Sequence, residues 1–257
     1  MKVIILAGGL GTRLREETEF KPKSMVEIGG KPILWHIMKN FAHFGITEFI
    51  VASGYKNEYI KDYFLNYESR QQDFTVQLGH PGEAIFHGSK NSEDWKVTIA
   101  DTGELTLTGE RVRVASKYLN PGETFMVAYG DGLADIDIHK LIEFHNQEDA
   151  IATLASVQPI SRFGVLELND KSEVVDFREK PLSSNWINIG FFVFEYEVLD
   201  FLDDGPLEIV PLKTLSEQKQ LRAYKHSGFW QPMDTIREVE LLNSIWESGT
   251  VPWRVGK

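Results

Sequence analysis

Residues 6–14 read LAGGLGTRL, and the residue types there are suited to holding phosphate. Glycine at positions 8, 9 and 11 lets backbone N–H groups approach an anion closely and allows positive φ without a Cβ clash. Arg13 adds a planar fork of donors that matches phosphate oxygens. Ten residues on, Lys23 stands in Lys21-Pro22-Lys23-Ser24, where Pro22 restricts the backbone just before it. Glycines alone would equally suit a plain strand-to-helix turn, and Lys23 alone would read as a solvated lysine. Taken together, Leu6, Ala7, Gly8, Gly9, Leu10, Gly11, Thr12, Arg13 and Lys23 form a candidate polyphosphate clamp. The spacing sets it apart from two familiar loops. A dinucleotide loop would need a third glycine where Leu14 stands, and no Gly-Lys-Ser/Thr of a P-loop follows. A dinucleotide-dependent oxidoreductase also lacks its acidic residue about 20 positions past the loop, where Lys31 and Pro32 stand.

Such a loop needs a strand before it and helices around it. Lys2 to Leu6 predicts a buried strand. Pro32 opens a helical pattern with Ile33, Leu34, Ile37, Met38, Phe41 and Phe44 on one face, stopped by Gly45. A strand over Thr47 to Ala52 and a helix over Asn57 to Asn66 follow. Phe74 to Leu78 and Lys96 to Ile99 predict strands, with His80 to Asp94 between them as a loop. Phe125 to Tyr129 is a short buried strand running into Gly130-Asp131-Gly132, and Ile138 to Asn146 is helical. The second half is richer in strands: Ile151 to Val157, Gly164 to Leu168, Glu173 to Asp176 and Ile187 to Phe194. Helices are predicted around Tyr196 to Leu202, Glu208 to Gln218 and Thr235 to Glu247. This order predicts an α/β fold with a largely parallel sheet covered by helices, in one continuous domain.

The totals narrow the partners. A formal charge of −11 argues against general affinity for nucleic acid or anionic membranes, while leaving room for a local anion site. With no cysteine, disulfides, thiolate metal sites and cysteine nucleophiles are excluded. The apolar run Val3 to Ala7 is too short for a signal peptide, and no stretch approaches the ~20 apolar residues of a membrane span. The expectation is a soluble, cytoplasmic protein.

The stretch LAGGLGTRLREETEFKPKSM resembles the signature of the nucleotide-sugar pyrophosphorylases, Gly-Gly-x-Gly-Thr-Arg-Leu with Pro-Lys about ten residues later. Glu16 stands where that family usually has proline, and Ser24 where it usually has a second proline. Glu16-Glu17-Thr18 is closer to the cytidylyl branch than to the uridylyl or thymidylyl branches. Further similar segments span nearly the whole chain: KPILWHIMK (31–39), DTGELTLTGERV (101–112), YGDGLADID (129–137), FREKP (177–181), INIGFFVF (187–194) and GFWQPMDT (228–235). The resemblance implies a Rossmann-like mixed, mostly parallel sheet flanked by helices, of the nucleotide-diphospho-sugar transferase type. It implies a single domain, with about 1–135 binding nucleotide and about 136–257 binding sugar phosphate. The implied reaction joins CTP to glucose 1-phosphate, giving CDP-glucose and pyrophosphate for dideoxysugars of bacterial surface polysaccharide (O-antigen). A thymidylyl- or uridylyltransferase and a non-catalytic sugar-nucleotide sensor are the alternatives; sensors tend to lose the signature arginine and lysine, which this chain keeps.

Residue by residue, the resemblance makes Arg13, Lys23 and Asp131 the catalytic set. Arg13 and the loop N–H groups would hold the β- and γ-phosphates, and Lys23 would sit by the α-phosphate. Asp131 and Asp234 match the family's ligands for Mg²⁺, a cation that takes one or two carboxylates and keeps several waters. Each has a plainer reading: Asp131-Gly132 as a turn and Asp234 as a helix N-cap. Thr106, Thr108, Arg111 and Gly130 would lie near the nucleotide, though Arg111 equally fits a surface position at a helix start. Gly164, Glu179, Lys180, Asn188, Gly190 and Trp230 would form the sugar-phosphate side, with core packing the other reading of Trp230. The family commonly forms homo-oligomers; Trp246 and Trp253 would serve such an interface or pack the C-terminus.

Overall fold

The computed structural model describes residues 1–79, 84–87, 93–161 and 163–254. The first strand, β1 (Val3–Ala7), is buried on both faces: Val3, Ile5 and Ala7 enter one hydrophobic layer and Ile4 the other. That two-sided apolar character is what a central parallel strand requires. Up to the middle of the chain follow α1 (Arg15–Thr18), β2 (Glu27–Ile28), β3 (Lys31–Pro32), α2 (Ile33–His43), β4 (Glu48–Ser53), α3 (Asn57–Leu65), β5 (Asp73–Val76), β6 (Ala84–His87), β7 (Lys96–Asp101), α4 (Thr108–Ala115) and β8 (Phe125–Tyr129). The remainder comprises β9 (Gly132–Ala134), α5 (Ile138–Gln147), β10 (Ala152–Val157), β11 (Val165–Leu168), β12 (Val174–Arg178), β13 (Ile187–Phe194), α6 (Val210–Glu217), β14 (Leu221–Lys225), β15 (Trp230–Pro232) and α7 (Ile236–Glu247).

Seven strands form one sheet in the order β14-β10-β13-β8-β1-β4-β7. All neighbours pair in parallel except β13, which runs antiparallel to both β8 and β10. The sheet is therefore mixed and mostly parallel, and it draws strands from both halves of the chain. Buried residues of α2, α3, α5 and α7 cover one face, and those of α4 and α6 cover the other. From β1 the chain adds β4 and then β7 on one side, and returns to place β8 on the other. The ends of β1 and β8 thus flank a topological switch point, where open α/β sheets hold ligands.

Several expectations need correcting. Of the loop predicted over His80 to Asp94, residues 84–87 form β6, paired antiparallel with β5; residues 80–83 and 88–92 lie outside the described residues. The helix predicted at Tyr196 to Leu202 is a 3-10 helix over Tyr196–Phe201. Strand β14 had no prediction: LRAYK carries only a short, half-buried alternation, and its pairing with β10 decides it. Trp253 is 2 % exposed and Trp246 packs against the same core, so both are C-terminal packing. Among the described residues no helix is long and apolar enough to cross a membrane.

The core also encloses His36, whose Nε2 bonds the Ile28 carbonyl at 2.8 Å and whose ring meets Trp35, Trp246 and Trp253 edge-on. Burial, helped by nearby Lys31 and Arg254, draws its pKa down to about 4 in spite of the Ile28 hydrogen bond. The unfolded chain therefore takes up this proton near pH 6.5, whereas the folded chain does so only near 4. Stability from neutral His36 is complete above 6.5 and declines as the pH falls through that window. Thermal melts from pH 7 to 4.5 should show a shallower decline for His36→Gln than for the wild type; parallel declines would remove His36 as the cause.

Candidate active site

After β1 the chain turns through Gly8 to Gly11. Gly11 has φ 62°, and a Cβ there would lie 2.7 Å from Thr18 Cγ2 and 3.2 Å from Lys23 Cβ, so glycine serves both the backbone and the space. Thr18 fastens the turn, its hydroxyl bonding the carbonyls of Gly11 and Leu14 at 3.0 and 2.9 Å. The loop after β4 holds it from behind: the Tyr55 hydroxyl donates to the Thr18 carbonyl at 3.2 Å, and the Tyr55 N–H to Gly8 at 3.2 Å. Gly9, by contrast, has open space where a Cβ would point. The loop thus has a braced back and an open front.

Lys23 begins a single 3-10 turn, Lys23–Met25, set by the extended Pro22 before it. Its partners come from two short strands. In the pairing of β9 with β15, Gly132 faces Pro232, and the Met233 N–H donates to the Asp131 carbonyl at 2.8 Å. Antiparallel register therefore leaves Asp131 and Asp234 at the same end. Lys23 Nζ donates to Asp131 Oδ2 at 2.6 Å and to Asp234 Oδ1 at 2.5 Å, and Arg13 donates to Asp234 Oδ2 at 3.1 Å. The Lys23 side chain is 14 % exposed and that of Arg13 77 %, so one cation is seated and the other faces solvent. Burial works against the Lys23 ammonium, but the two carboxylates outweigh it and hold its pKa above the ordinary range. Burial likewise opposes the Asp234 carboxylate, and Lys23 and Arg13 prevail to hold its pKa below the ordinary range.

The helix cap is separate from this cluster. Thr235, not Asp234, is the N-cap of α7, within a capping box closed by Glu238. Glu238 accepts from the backbone N–H of Asp234 at 2.7 Å, which leaves the Asp234 side chain to the cations. Asp131 is held by more than a turn, since Gly130 brings β8 against β1. A Cβ on Gly130 would lie 2.6 Å from the Leu6 carbonyl oxygen, whose partner is the Gly130 N–H at 3.0 Å. Gly130→Ala must separate these strand ends; we expect a melting temperature lower by several degrees together with impaired catalysis, measured by thermal melts and pyrophosphate release.

Two carboxylates on different elements converging on one ammonium form the kind of hard oxygen pair that takes a divalent cation completed by water and phosphate oxygens. Among the described residues no group of three or more carboxylate or imidazole ligands could hold a metal unaided. A metal here would depend on the substrate's phosphates.

Other predicted residues fall elsewhere. Arg111 is on α4 but buried, 3 % exposed, beneath the loop. Its guanidinium bonds the carbonyls of Gly8, Ser53, Gly103 and Glu104 and the Thr102 hydroxyl, lacing together the ends of β1, β4 and β7. Thr106 bonds the Thr102 carbonyl within its own turn, whereas Thr108 bonds Glu208 and the Leu207 N–H and ties the start of α4 to a distant loop. On the other side, Glu179 and Lys180 are exposed, 3.9 Å apart, at the end of the β11–β12 hairpin. A Cβ on Gly164 would lie 2.8 Å from the Phe177 ring and 3.1 Å from Glu179 Oε2, so glycine there admits both side chains. Asn188 and Gly190 start β13 beside Tyr129. Trp230 packs against the core with its indole N–H near Gly132. Sequence reading passed over Thr18, Tyr55, Tyr129, Glu208 and Glu238. Only Glu238 had a readable signal, the Thr-x-x-Glu of a capping box; the others act through contacts distant in sequence.

A braced glycine loop and two lysine-linked aspartates at the switch point of a mostly parallel sheet define a phosphate-handling α/β enzyme. The Nucleotidyl transferase family matches residues 2–231, and the chain belongs to it. This family acts on a nucleoside triphosphate and a sugar 1-phosphate, and generally uses a divalent metal. Glucose-1-phosphate cytidylyltransferases from Salmonella typhimurium and Salmonella typhi are each 47 % identical to this chain over 257 residues, covering 99 % of this chain and of each relative. The crystal structure of HddC from Yersinia pseudotuberculosis superposes with a TM-score of 0.68 at 24 % identity, covering 95 % of this chain and 99 % of that one, a likeness of fold.

Proposed function

We propose that this chain transfers CMP from CTP to α-D-glucose 1-phosphate, releasing pyrophosphate and forming CDP-glucose. The observation that carries nucleotidyl transfer is Lys23, seated between Asp131 and Asp234 beside an open glycine loop. Cytosine and glucose rest on the full-length similarity to the cytidylyltransferases.

In this reading a sugar-phosphate oxygen attacks the α-phosphorus of CTP, and the bond to the bridging oxygen breaks, its electron pair leaving with pyrophosphate. The nucleophile is already ionised at neutral pH, so the work is positioning and charge stabilisation. Arg13 and the loop N–H groups hold the β- and γ-phosphates. Lys23, neutralised by carboxylates in the free protein, turns its ammonium to the α-phosphate. Asp131 and Asp234 would hold Mg²⁺, which supplies charge neutralisation of the phosphates. Arg111 supports the loop from below, close to Gly8. Glu179, Lys180 and Asn188 face the sugar phosphate, Glu179 accepting from hydroxyls and Lys180 meeting the phosphate. We assign residues of about 1–135 chiefly to the nucleotide and of about 136–257 chiefly to the sugar phosphate, with Asp234 crossing to the phosphates. The same reading makes the protein a cytoplasmic homo-oligomer serving dideoxysugar synthesis for surface polysaccharide.

Pyrophosphate release measured with CTP, UTP, dTTP, ATP and GTP, each with glucose 1-phosphate and Mg²⁺, tests the activity and the base together. CTP should be preferred at least ~10-fold, the scale of one well-made polar discrimination. Faster release with UTP or dTTP would reassign the base, and CTP binding without release would favour a sensor.

A further inference from the structure

A hydrogen-bonded chain of side chains links the start of α4 to the start of β13, outside the four-charge cluster. Thr108 donates to Glu208 Oε2 at 2.7 Å. The other Glu208 oxygen accepts from the Tyr129 hydroxyl. The Tyr129 oxygen accepts from Asn188 Nδ2 at 3.2 Å, and Asn188 Oδ1 accepts from the Gly190 N–H at 2.8 Å. The direction of this chain follows from Glu208, because a carboxylate only accepts. Tyr129 must spend its one proton there, its oxygen is left to accept, and the NH₂ of Asn188 has to face it. The Gly190 N–H on Oδ1 and the Tyr129 oxygen on the NH₂ together hold the amide in one of its two flips, with its second N–H outside the chain.

The surroundings hold the relay in place. Gly190 has φ 80°, and a Cβ on it would lie 2.3 Å from the Tyr129 ring, so the ring rests against bare backbone. Gly109 donates its N–H to the Gly205 carbonyl at 3.0 Å, which draws the loop carrying Glu208 against α4.

We propose that Tyr129 and Glu208 are positioning residues for the sugar 1-phosphate: the relay Glu208–Tyr129–Asn188 aims an amide N–H at a sugar hydroxyl oxygen. This rests on the function proposed above. Neither residue needs to touch substrate for the effect, which passes through Asn188. It favours a sugar that offers a hydrogen-bond acceptor at that point.

The test is a double-mutant cycle read in KM and kcat. Tyr129→Phe should raise KM for glucose 1-phosphate about fivefold, the scale of one neutral hydrogen bond, with KM for CTP and kcat unchanged within about twofold. Asn188→Ala should raise the sugar-phosphate KM at least as much, and Tyr129→Phe/Asn188→Ala no further. Glu208→Gln keeps a carbonyl acceptor and should remain near wild type, while Glu208→Ala should match Tyr129→Phe. Additive effects in the double variant, a parallel rise in KM for CTP, or equal damage from Glu208→Gln and Glu208→Ala would each overturn the relay. Glu208 is exposed, so its two variants decide the matter if Tyr129→Phe does not fold. A wild-type chain that turns over no sugar 1-phosphate overturns the functional reading and the relay together; an active wild type with an additive cycle overturns the relay alone.

Discussion

Lys23→Ala lowers pyrophosphate release by at least ~10²-fold, the scale of losing one electrostatic contact made to the transition state. The expectation follows from where the ammonium sits: 14 % exposed, within hydrogen-bond reach of two carboxylates, one of which also pairs with Arg13. Lys23 is held charged by Asp131 and Asp234 against the opposing effect of burial, so it carries a full positive charge across the neutral range. Its removal takes away the seated cation and leaves Asp131 without its partner and Asp234 with Arg13 alone, beside incoming polyphosphate. Arg13 cannot replace it, being engaged with the far oxygen of Asp234 and largely in solvent. Asp131→Ala should fall by a similar factor. Single-turnover rates, with melting curves to establish folding, are the measurement. A Lys23→Ala protein within a few-fold of wild type would remove Lys23 from its assigned role.

Arg111→Met should be the most destabilising single change in the site region. The guanidinium joins three strand ends, and methionine removes all five of its bonds, four of them to backbone carbonyls; Gly8 and Ser53 keep donors from Tyr55 and Thr102, while Gly103 and Glu104 lose their charged donor. Hydrogen bonds to charged donors contribute about 1.5–3 kcal/mol each, so losing the set should cost at least ~3 kcal/mol. In a chain of this size that corresponds to a melting temperature lower by roughly 10 °C. The packing leaves no easy relaxation, since Cβ atoms built on Gly8 and Gly54 would lie 2.0 and 2.4 Å from Arg111 Nη1. Arg111→Lys should recover little, because one ammonium cannot span the three loops. Thermal melts decide this, and a loss under ~1 kcal/mol would mean that the loops are held by other contacts.

The near-continuous apolar runs of the strands, the helical face from Ile33 to Phe41 and the glycine loop with Arg13 and Lys23 were all legible in the sequence. They are local: strand and helix periods are written in neighbouring residues, and a glycine-rich turn is short-range chemistry. The class of reaction was legible too, because its signature lies within 20 consecutive positions. Which reading of an ambiguous residue holds was decided only in three dimensions. Asp234 also had a plain local reading as a cap until Thr235 and Glu238 took that role and left its carboxylate to Lys23 and Arg13, more than 200 positions away. Arg111 read as a residue near nucleotide or at the surface, and the convergence of β1, β4 and β7 buried it as the tie between their ends. The relay through Glu208, Tyr129 and Asn188 had no sequence signal at all. Hydrogen bonds between side chains 59 and 79 positions apart depend on strand order and loop approach, and these come from burying both faces of the sheet at once.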